Sequence, residues 1–508
     1  MKKLIVILFC MCFLSCDSDR HSVYFVQLND VYEIAPLGGG LYGGMARVAH
    51  VVDSLKSINP NTFLFMSGDF LNPSLIGNLK HDGVRIKGRQ MIEVMNAMDF
   101  TMVTFGNHEF DLTYPEFQSR LDESTFDWVN TNCYHQTEQG IQPFARNGAH
   151  GHDQTDPTPE NIPEVKSMDI EFPDGRELKL GFFGVTIPSN PKPYVYYANM
   201  YHQAGYAVDS LNKMGADILV GLTHVNLEMD QEIARQNPDL DLILGGHEHN
   251  HMKLKQGNTT ITKSDANAKN IYVHELIYDF KSKSHQLEST LLPINQETPE
   301  NQGVAQVVQK WDDVLYAAVS QVSEAPNEIV LRTSMALDGR DAQSRSTQTN
   351  LGQLITRAMT FAYEQPADGA IVNGGSIRLD DYLQGEVTAL DFFRVLPFGD
   401  GVLKVQMTGA LLSQVLAYGQ SQRGDGAYLH RFGMGQNDLD QWTINGKLIE
   451  AEKSYWIATS EFLMRGFDIP FLTPEHPGVL SVMSPEVGSK AADIRTTIVE
   501  FLKNGPTP

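Results

Sequence analysis

Apolar runs that end in short polar motifs recur through the first half of the chain. Five runs end in this way: VYFVQLND, NTFLFMSGD, FTMVTFGNH, ADILVGLTH and LDLILGGHEH. Short apolar runs bounded by polar residues are typical of buried strands, and helix-like segments separate these five. The pattern therefore predicts a layered α/β domain. In such a domain, polar groups that follow the strands collect at the carboxyl edge of the sheet, so side chains from distant parts of the chain meet at one rim.

A helical repeat of apolar residues follows this region. Val308, Trp311, Leu315 and Val319 recur at helical spacing, and we interpret the segment as a link between two domains. The remaining sequence has strands of its own (GAIVNGG, GVLKVQM, SYWIATSEF) and further helices. The predicted division is residues 1–20 as a signal and tether, 21–297 as the first domain, 298–324 as a linker helix and 325–508 as the second domain.

Composition is that of a folded protein with large cores. The chain has 508 residues, of which 42% are hydrophobic and 20% charged, and this length accommodates two or three domains. A formal net charge of −23 argues against nucleic acid as a partner, because binding to its backbone needs clustered Lys and Arg. Small anionic substrates remain compatible, since bound metals and local Arg residues override the global charge.

The N-terminus predicts export. Lys2 and Lys3 precede the apolar core LIVILFCMCFL, which is too short to span a membrane. Ser15 and Cys16 then end the run, and the pattern resembles a bacterial lipoprotein signal in which Cys16 is lipidated. Ordinary secretion is the alternative. We expect a protein held in the cell envelope, on its periplasmic or surface face, by a lipid anchor only. Cys133 would then be the one remaining thiol, so no intramolecular disulfide is expected.

A polar stretch interrupts the first domain. Residues 135–165 contain Pro, Gly and a His-x-His pair, His150 and His152. The pair follows no apolar run, so nothing rigid would aim the two rings at a shared ion. We interpret the stretch as an exposed loop.

Six side chains at the strand ends offer metal donors: Asp30, Asp69, Asn107, His224, His247 and His249. Carboxylate oxygen, amide oxygen and imidazole nitrogen together suit Mn, Zn, Fe or Co. Asp69 is suited to bridge two ions, and the alternating His247 and His249 could each reach a different one. Singly, each residue has an ordinary explanation, such as a helix cap. Together they predict two divalent ions, an arrangement that clamps a phosphoryl group for hydrolysis.

His108 and Asp111 are assigned to proton chemistry. His108 would stabilise developing charge or protonate the leaving oxygen, and Asp111 would orient the ring and favour its cation. These two residues complete a candidate site for hydrolysis of a phosphoester.

The motifs GNHEFD and GGHEH, in this order, resemble those of the calcineurin-like metallophosphoesterases. Nearly all of the chain is similar to the two-domain 5'-nucleotidase family, which includes periplasmic UDP-sugar hydrolases and ecto-5'-nucleotidases. The resemblance implies an N-terminal four-layer α/β/β/α sandwich and a C-terminal α+β domain that binds the nucleotide. It also implies a linker helix that lets the second domain rotate.

The same resemblance implies substrate-binding residues in the second domain. Arg345 matches a phosphate-binding Arg of the family, and Asn373 and Arg378 match the substrate contacts of its NGGGIR-like motif. Phe398 and Phe462 match two rings that stack on the base, and Asp468 matches the residue that holds the ribose hydroxyls. Stacking between two rings tolerates different bases, and paired Arg residues hold phosphate oxygens bidentately.

Two departures from the family pattern stand out. The family usually has Asp-x-His after the first strand, whereas this chain has Asp30-Val31-Tyr32. A neutral Tyr is a poor ligand, so we expect the ion at Asp30, Asp69 and His249 to bind more weakly than its partner. In the base loop, Gly-Gly-Asp-Gly is replaced by a segment that contains Phe467 and Pro470, which should reshape the pocket.

The sequence favours a metal-dependent phosphoric ester hydrolase, most simply a 5'-nucleotidase that acts on a small nucleotide. A cyclic-nucleotide phosphodiesterase or a nucleotide-sugar pyrophosphatase would use the same metals. A non-catalytic nucleotide-binding surface lipoprotein is the alternative of a different class, but binding alone would not need His108 and Asp111. Nothing in the sequence indicates the oligomeric state.

Overall fold

The computed structural model describes residues 19–147, 159–189, 191–320 and 325–504. Almost all of the predicted signal and tether, including Cys16, lies outside the described residues, as do His150 and His152. Among the described residues, no helix is both long and apolar enough to cross a membrane.

Two six-stranded sheets form the first domain, and four adjacent strands in each sheet run parallel. In spatial order, the first sheet contains Ser284–Pro293, Asn270–Asp279, Arg20–Leu28, Thr62–Ser67, Met102–Thr104 and Asp127–Trp128. The second sheet contains Val165–Glu171, Glu177–Thr186, Ile218–His224, Leu242–Gly245, Thr259–Lys263 and Met252–Gln256. Several of these parallel strands are buried on both faces, which explains their apolar sequences; they include Thr62–Ser67, Ile218–His224 and Leu242–Gly245.

The sheets pack face to face with helices outside. Val23 and Phe25 point into the core between the sheets, whereas Val26 and Leu28 of the same strand point towards the outer helices. Helices Met45–Ile58, Arg89–Ala97 and Tyr114–Glu123 belong to the core on the first sheet, and Met200–Lys213 and Leu227–Gln236 to the core on the second. The predicted four-layer α/β/β/α arrangement is confirmed.

The polar stretch from residue 135 is more ordered than its composition indicates. Short strands Cys133–Thr137, Gly140–Gln142, Ala145–Arg146, Glu160–Asn161 and Val195–Tyr197 pair here in small sheets. Phe144 is buried and stacks against Phe110 at a ring separation of 5.8 Å. The described part of the stretch is mostly exposed as expected, but it forms short strands and not a loop, because isolated aromatic residues anchor strands whose other side chains are polar.

Helix Gln302–Val319 leads towards the second domain. Val308, Trp311, Leu315 and Val319 are its buried side, as their spacing predicts, and they join the core of the first domain. The indole of Trp311 donates a hydrogen bond to Glu93 Oε2 at 3.0 Å. This helix is thus attached to the first domain along its length.

A five-stranded sheet organises the second domain, with strand order Leu429–Phe432, Gly369–Asn373, Ser454–Ser460, Val402–Thr408 and Val479–Met483. Helices Asn350–Thr360, Ala389–Val395 and Ile494–Asn504 pack on one face, and Gly409–Ser421 on the other. Strand Ile329–Asp338 pairs with Tyr382–Thr388 beside this sheet. Short helices Asp341–Ser344 and Glu461–Met464 and the small sheet Met434–Gln436, Trp442–Ile444 and Lys447–Leu448 complete the mixed α/β domain.

Candidate metal centre

Three of the predicted ligands turn back towards the sheets in an unusual backbone conformation. Asp30, Asp69 and His247 follow their strands with φ values of 54°, 56° and 89°. Such left-handed conformations cost free energy for residues other than Gly, and they cluster at functional sites. These conformations direct the side chains that follow the three strands towards one rim of the domain.

His224, Asp30 and Asp69 lie close enough to share one ion. Each offers a donor atom, and these atoms lie within 4.8 Å of one another. His224 Nδ1 donates to the carbonyl of Ser67 at 2.7 Å, so Nε2 faces the carboxylates, 3.0 Å from Asp69 Oδ2. Nε2 is buried, and its contact with Asp69 lacks good hydrogen-bond geometry. A cation at this point would satisfy both the nitrogen and the carboxylates, so the residues fit a metal ion.

His249 also lies next to Asp30. Its Nε2 is 3.2 Å from Asp30 Oδ1, and its Nδ1 donates to the main-chain carbonyl of Asp380, which belongs to the second domain. Asp30 Oδ2 accepts hydrogen bonds from the Asn29 side chain and from the backbone N–H of His247. These bonds fix the orientation of the Asp30 carboxylate within the cluster.

Tyr32 enters the centre directly. Its hydroxyl lies 3.3 Å from Asp69 Oδ2, 3.5 Å from Asp30 Oδ1 and 3.1 Å from His249 Nε2. Burial and the surrounding carboxylates raise the pKa of Tyr32 well above its ordinary value. A neutral hydroxyl therefore lies next to all three residues assigned to the second ion, Asp30, Asp69 and His249.

The remaining two ligand candidates also reach the rim. The His247 ring lies 5.3 Å from that of His224, and burial, together with the charge of His224, lowers the pKa of His247 to about 4. A neutral imidazole is the form that binds metals. Asn107 is buried directly before the turn that carries His108.

His108 and Asp111 are in contact, as their assigned roles require. His108 Nδ1 is 2.8 Å from Asp111 Oδ2, which also accepts from the Asn72 side chain at 2.8 Å. Burial alone would lower the pKa of His108, but the carboxylates of Asp69 and Asp111 raise it to about 10. Despite burial, His108 lowers the pKa of Asp111 to about 2. The contact with Asp111 thus favours the imidazolium form of His108, which can act as a proton donor.

Glu109 was missed by the sequence analysis. Its buried carboxylate accepts four backbone N–H groups, from Gly106 and from the run Asp69 to Leu71, at 2.6–3.1 Å. It therefore ties the loop that carries Asp69 to the loop that carries Asn107 and His108. Its position inside the GNHEFD motif was the available signal, but the motif does not distinguish a scaffold residue from a ligand.

Close backbone packing completes this scaffold at two glycines. A Cβ at Gly106 would lie 2.1 Å from Asp69 Oδ1, and one at Gly246 would lie 2.4 Å from the carbonyl of Ser67. Neither position has space for a side chain. The ligand-bearing loops are therefore interlocked through their main chains.

Lys263 is a second residue that the sequence did not single out. It is fully buried, and its ammonium contacts the carboxylates of Asp230 and Glu248. It also donates to the carbonyls of Val225 and Gly246, at 2.5 and 2.8 Å. Those carbonyls adjoin His224 and His247, so this cation holds two ligand loops together. Nothing in the strand TTITK that ends at Lys263 indicates this role from sequence alone.

The two candidate phosphate-binding residues of the second domain, Arg345 and Arg378, both contact carboxylates. Arg378 Nη2 lies 3.3 Å from Asp111 Oδ2, across the domain boundary. Arg345 Nε donates to Asp341 Oδ1 at 2.9 Å. The structure thus brings Arg378 into the rim, whereas Arg345 is held within its own domain.

The base-pocket candidates are arranged differently from a simple pair of rings. Asn373 Nδ2 donates to Asp468 Oδ2 at 2.7 Å, so these two residues are in contact. The ring of Phe462 stacks on Phe467, with centroids 5.4 Å apart and an angle of 30°. Phe398 is 65% exposed. Phe467 therefore packs against one face of the Phe462 ring.

Comparison with known proteins assigns both halves of the chain. Residues 23–251 match the calcineurin-like phosphoesterase family, and residues 328–473 match the 5'-nucleotidase C-terminal domain. The trifunctional nucleotide phosphoesterase protein YfkN of Bacillus subtilis is 24% identical over 89% of this chain, which spans only 34% of that relative. Protein UshA of Yersinia enterocolitica is 25% identical, over 84% of this chain and 82% of its own. The crystal structure of a 5'-nucleotidase precursor from Thermus thermophilus has the same fold, with a TM-score of 0.65, 20% identity and coverage of 95% and 96%.

Proposed function

The chain belongs to the two-domain 5'-nucleotidase family, and from that premise we propose that it is a metal-dependent hydrolase of nucleotide phosphoesters. The reaction that its site supports best is that of a 5'-nucleotidase. A nucleoside monophosphate and water would give nucleoside and inorganic phosphate.

One observation carries the proposal. A buried cluster of carboxylates and imidazoles lies beside the contact between His108 and Asp111, and Arg378 of the second domain reaches the same point. Metal ligands, a proton donor and a phosphate-binding cation are the three parts that hydrolysis of a phosphoester requires. A protein that only bound nucleotides would not need the proton donor.

The two metal ions that we propose would be unequal. Asp69, Asn107, His224 and His247 would hold one ion, and Asp30, Asp69 and His249 the other, which Tyr32 adjoins in place of a stronger ligand. When bound, the ions would polarise the phosphoryl group and activate water at neutral pH. Mn, Zn, Fe and Co each suit this mixture of donors.

Residues of the chain would then handle the proton and the substrate. His108 would donate its Nε2 proton to the leaving oxygen, while Asp111 keeps the ring oriented through Nδ1. Arg378 would exchange its contact with Asp111 for phosphate oxygens, and Arg345 would do the same with its contact to Asp341. Guanidinium groups bind such oxygens bidentately, so the phosphate would be fixed in orientation.

The nucleoside would lie in the second domain. Phe398 and Phe462 would stack on the base, with Phe467 behind or beside Phe462. Asp468, held by Asn373, would accept hydrogen bonds from the ribose hydroxyls. Stacking gives affinity with little discrimination between bases, so we expect several nucleotides to be substrates.

Export and attachment to the cell envelope belong to the same proposal. The basic start, the apolar core and Cys16 support a lipid anchor. A lipidated Cys16 would hold the enzyme where extracellular or periplasmic nucleotides are available.

A substrate panel tests the function. The soluble form that lacks residues 1–16 would be assayed for phosphate release with Mn²⁺, Zn²⁺, Fe²⁺ and Co²⁺ and with nucleoside monophosphates, cyclic nucleotides and nucleotide sugars. We expect monophosphates to give the highest kcat/KM. Preference for cyclic nucleotides or nucleotide sugars would replace the proposed reaction by one of those activities, and binding of AMP without turnover under every metal would refute catalysis.

A further inference from the structure

The second domain contacts the rim of the metal centre through charged pairs. Arg378 meets Asp111, Lys269 pairs with Asp381, and Arg394 lies 3.7 Å from Glu33. Leu390 and Phe393 of the second domain also join the apolar core of the first domain. The two domains are therefore docked at the point where the ligands converge.

The histidine ligands differ in how their rings are oriented. A metal-ligating His donates its second ring N–H to an acceptor, and that bond fixes the direction of the nitrogen that binds the ion. For His224 the acceptor is the carbonyl of Ser67, in the same domain. For His249 the acceptor is the carbonyl of Asp380, in the other domain. Only one of the two rings thus depends on docking.

Asp380 is itself held in place. Its backbone is left-handed, with φ of 47°, and its Oδ1 accepts the N–H of Asp341 at 2.7 Å. Oδ2 lies 3.2 Å from His249 Nε2 and adds negative charge beside the nitrogen that would face an ion. The carbonyl and carboxylate of Asp380 are therefore connected to the turn that leads to Arg345, within the second domain.

We propose that Asp380 is a positioning residue for His249, so that the ion at Asp30 and His249 binds at full affinity only when the second domain is docked. Coupling is reciprocal, so binding of this ion favours docking in return. All ligands assigned to the ion at His224 and His247 belong to the first domain, so the affinity for that ion should depend less on docking. The inference rests on the proposed metal pair, but not on the identity of the substrate.

A charge exchange at Lys269 and Asp381 tests whether docking affects the affinity for the ion. Neither residue is among the assigned ligands, and their pairing fixes the segment next to Asp380. Zn²⁺ binding to Lys269→Glu, Asp381→Lys and the double exchange would be measured by calorimetry on the form lacking residues 1–16. We expect each single variant to weaken one of the two ions about 5–150-fold, the usual range of coupling between sites, and the double exchange to recover it.

The docking side is tested in the protein without those changes. Dyes would be attached at Ser282→Cys and Asp438→Cys, two exposed positions in different domains, because Cys133 is buried. Energy transfer would be recorded as Zn²⁺ alone is added. We expect saturation of the weaker ion to shift the distance distribution towards a single docked distance.

The outcomes separate this inference from the proposed function. Two bound ions with no change in energy transfer, or single variants that lose both ions equally, would overturn the coupling and leave the hydrolase proposal intact. A double exchange that stays as weak as the single variants would show general damage and would also overturn it. Failure of the unaltered protein to bind Zn²⁺ would instead refute the metal pair itself.

Discussion

Arg378 Nη2 lies 3.3 Å from Asp111 Oδ2, so a cation of the second domain contacts the carboxylate that orients His108. The group assigned to the substrate phosphate and the group assigned to the leaving oxygen therefore face the same volume. A phosphate that enters this volume would compete with Asp111 for Arg378. That exchange would leave Asp111 to support His108 alone.

Replacing His108 with Ala should lower kcat by about 10²–10⁴, the usual contribution of general acid catalysis. Metal binding should remain, because His108 contacts Asp69 through its backbone N–H, and the substitution keeps that hydrogen bond. Steady-state kinetics and metal analysis on the same sample check both points. Unchanged turnover in His108→Ala would contradict the assignment, and Asp111→Asn, which keeps the size of the side chain, should cause a smaller loss.

Replacing Tyr32 with His should strengthen the weaker metal site. An imidazole would add a neutral nitrogen donor where the hydroxyl now lies among Asp30, Asp69 and His249. After mild dialysis, metal analysis should find two ions per chain in Tyr32→His and fewer in the original protein. Tyr32→Phe is the matched control and should bring no gain. Two ions of equal affinity in the original protein would refute the inequality.

Removing the Phe467 ring should weaken nucleotide binding. Phe467 stacks on Phe462, and an aromatic pair contributes about 0.5–1.5 kcal/mol beyond burial. Phe467→Ala should therefore raise KM for a nucleoside monophosphate by roughly 2- to 10-fold with little change in kcat. A small phosphoester without a base serves as the control substrate, and an equal rise in its KM would show that the effect is not on the base.

Substitution of Lys263 should destabilise the first domain. Removing one partner of a buried ion pair costs about 3–5 kcal/mol, because the remaining carboxylates stay buried without a counter-charge. Unfolding of metal-free Lys263→Met in urea would measure this loss. Lys255 is exposed on the neighbouring strand, which pairs with that of Lys263, so Lys255→Met should have little effect. Similar midpoints for the two variants would contradict the role of Lys263.

The sequence sufficed for the layers of the first domain and for the convergence of its motifs, because both depend on local pattern. Apolar runs mark strands that are buried on both faces, and the residues that follow them share an edge. Helix Gln302–Val319 is readable for the same reason, since its apolar residues recur at one spacing.

Contacts between distant segments could not be predicted from the sequence. Lys263 and Glu109 stabilise the ligand loops through backbone groups, and backbone groups leave no mark in a sequence. The stacking of Phe467 on Phe462 and the reach of Asp380 to His249 depend on how loops and domains pack, which no local pattern encodes. Polar short strands such as Cys133–Thr137 resemble loops because their pairing is local and their outer faces are wet.

The lack of space at Gly106 and Gly246 has a consequence for mutational tolerance. In a library of random variants, these two positions should accept almost no replacement, although neither touches substrate. Their intolerance would be indistinguishable, in a screen for activity alone, from that of the ligands themselves. Selection would therefore preserve the glycines together with the ligands, and the motifs would stay recognisable in distant relatives.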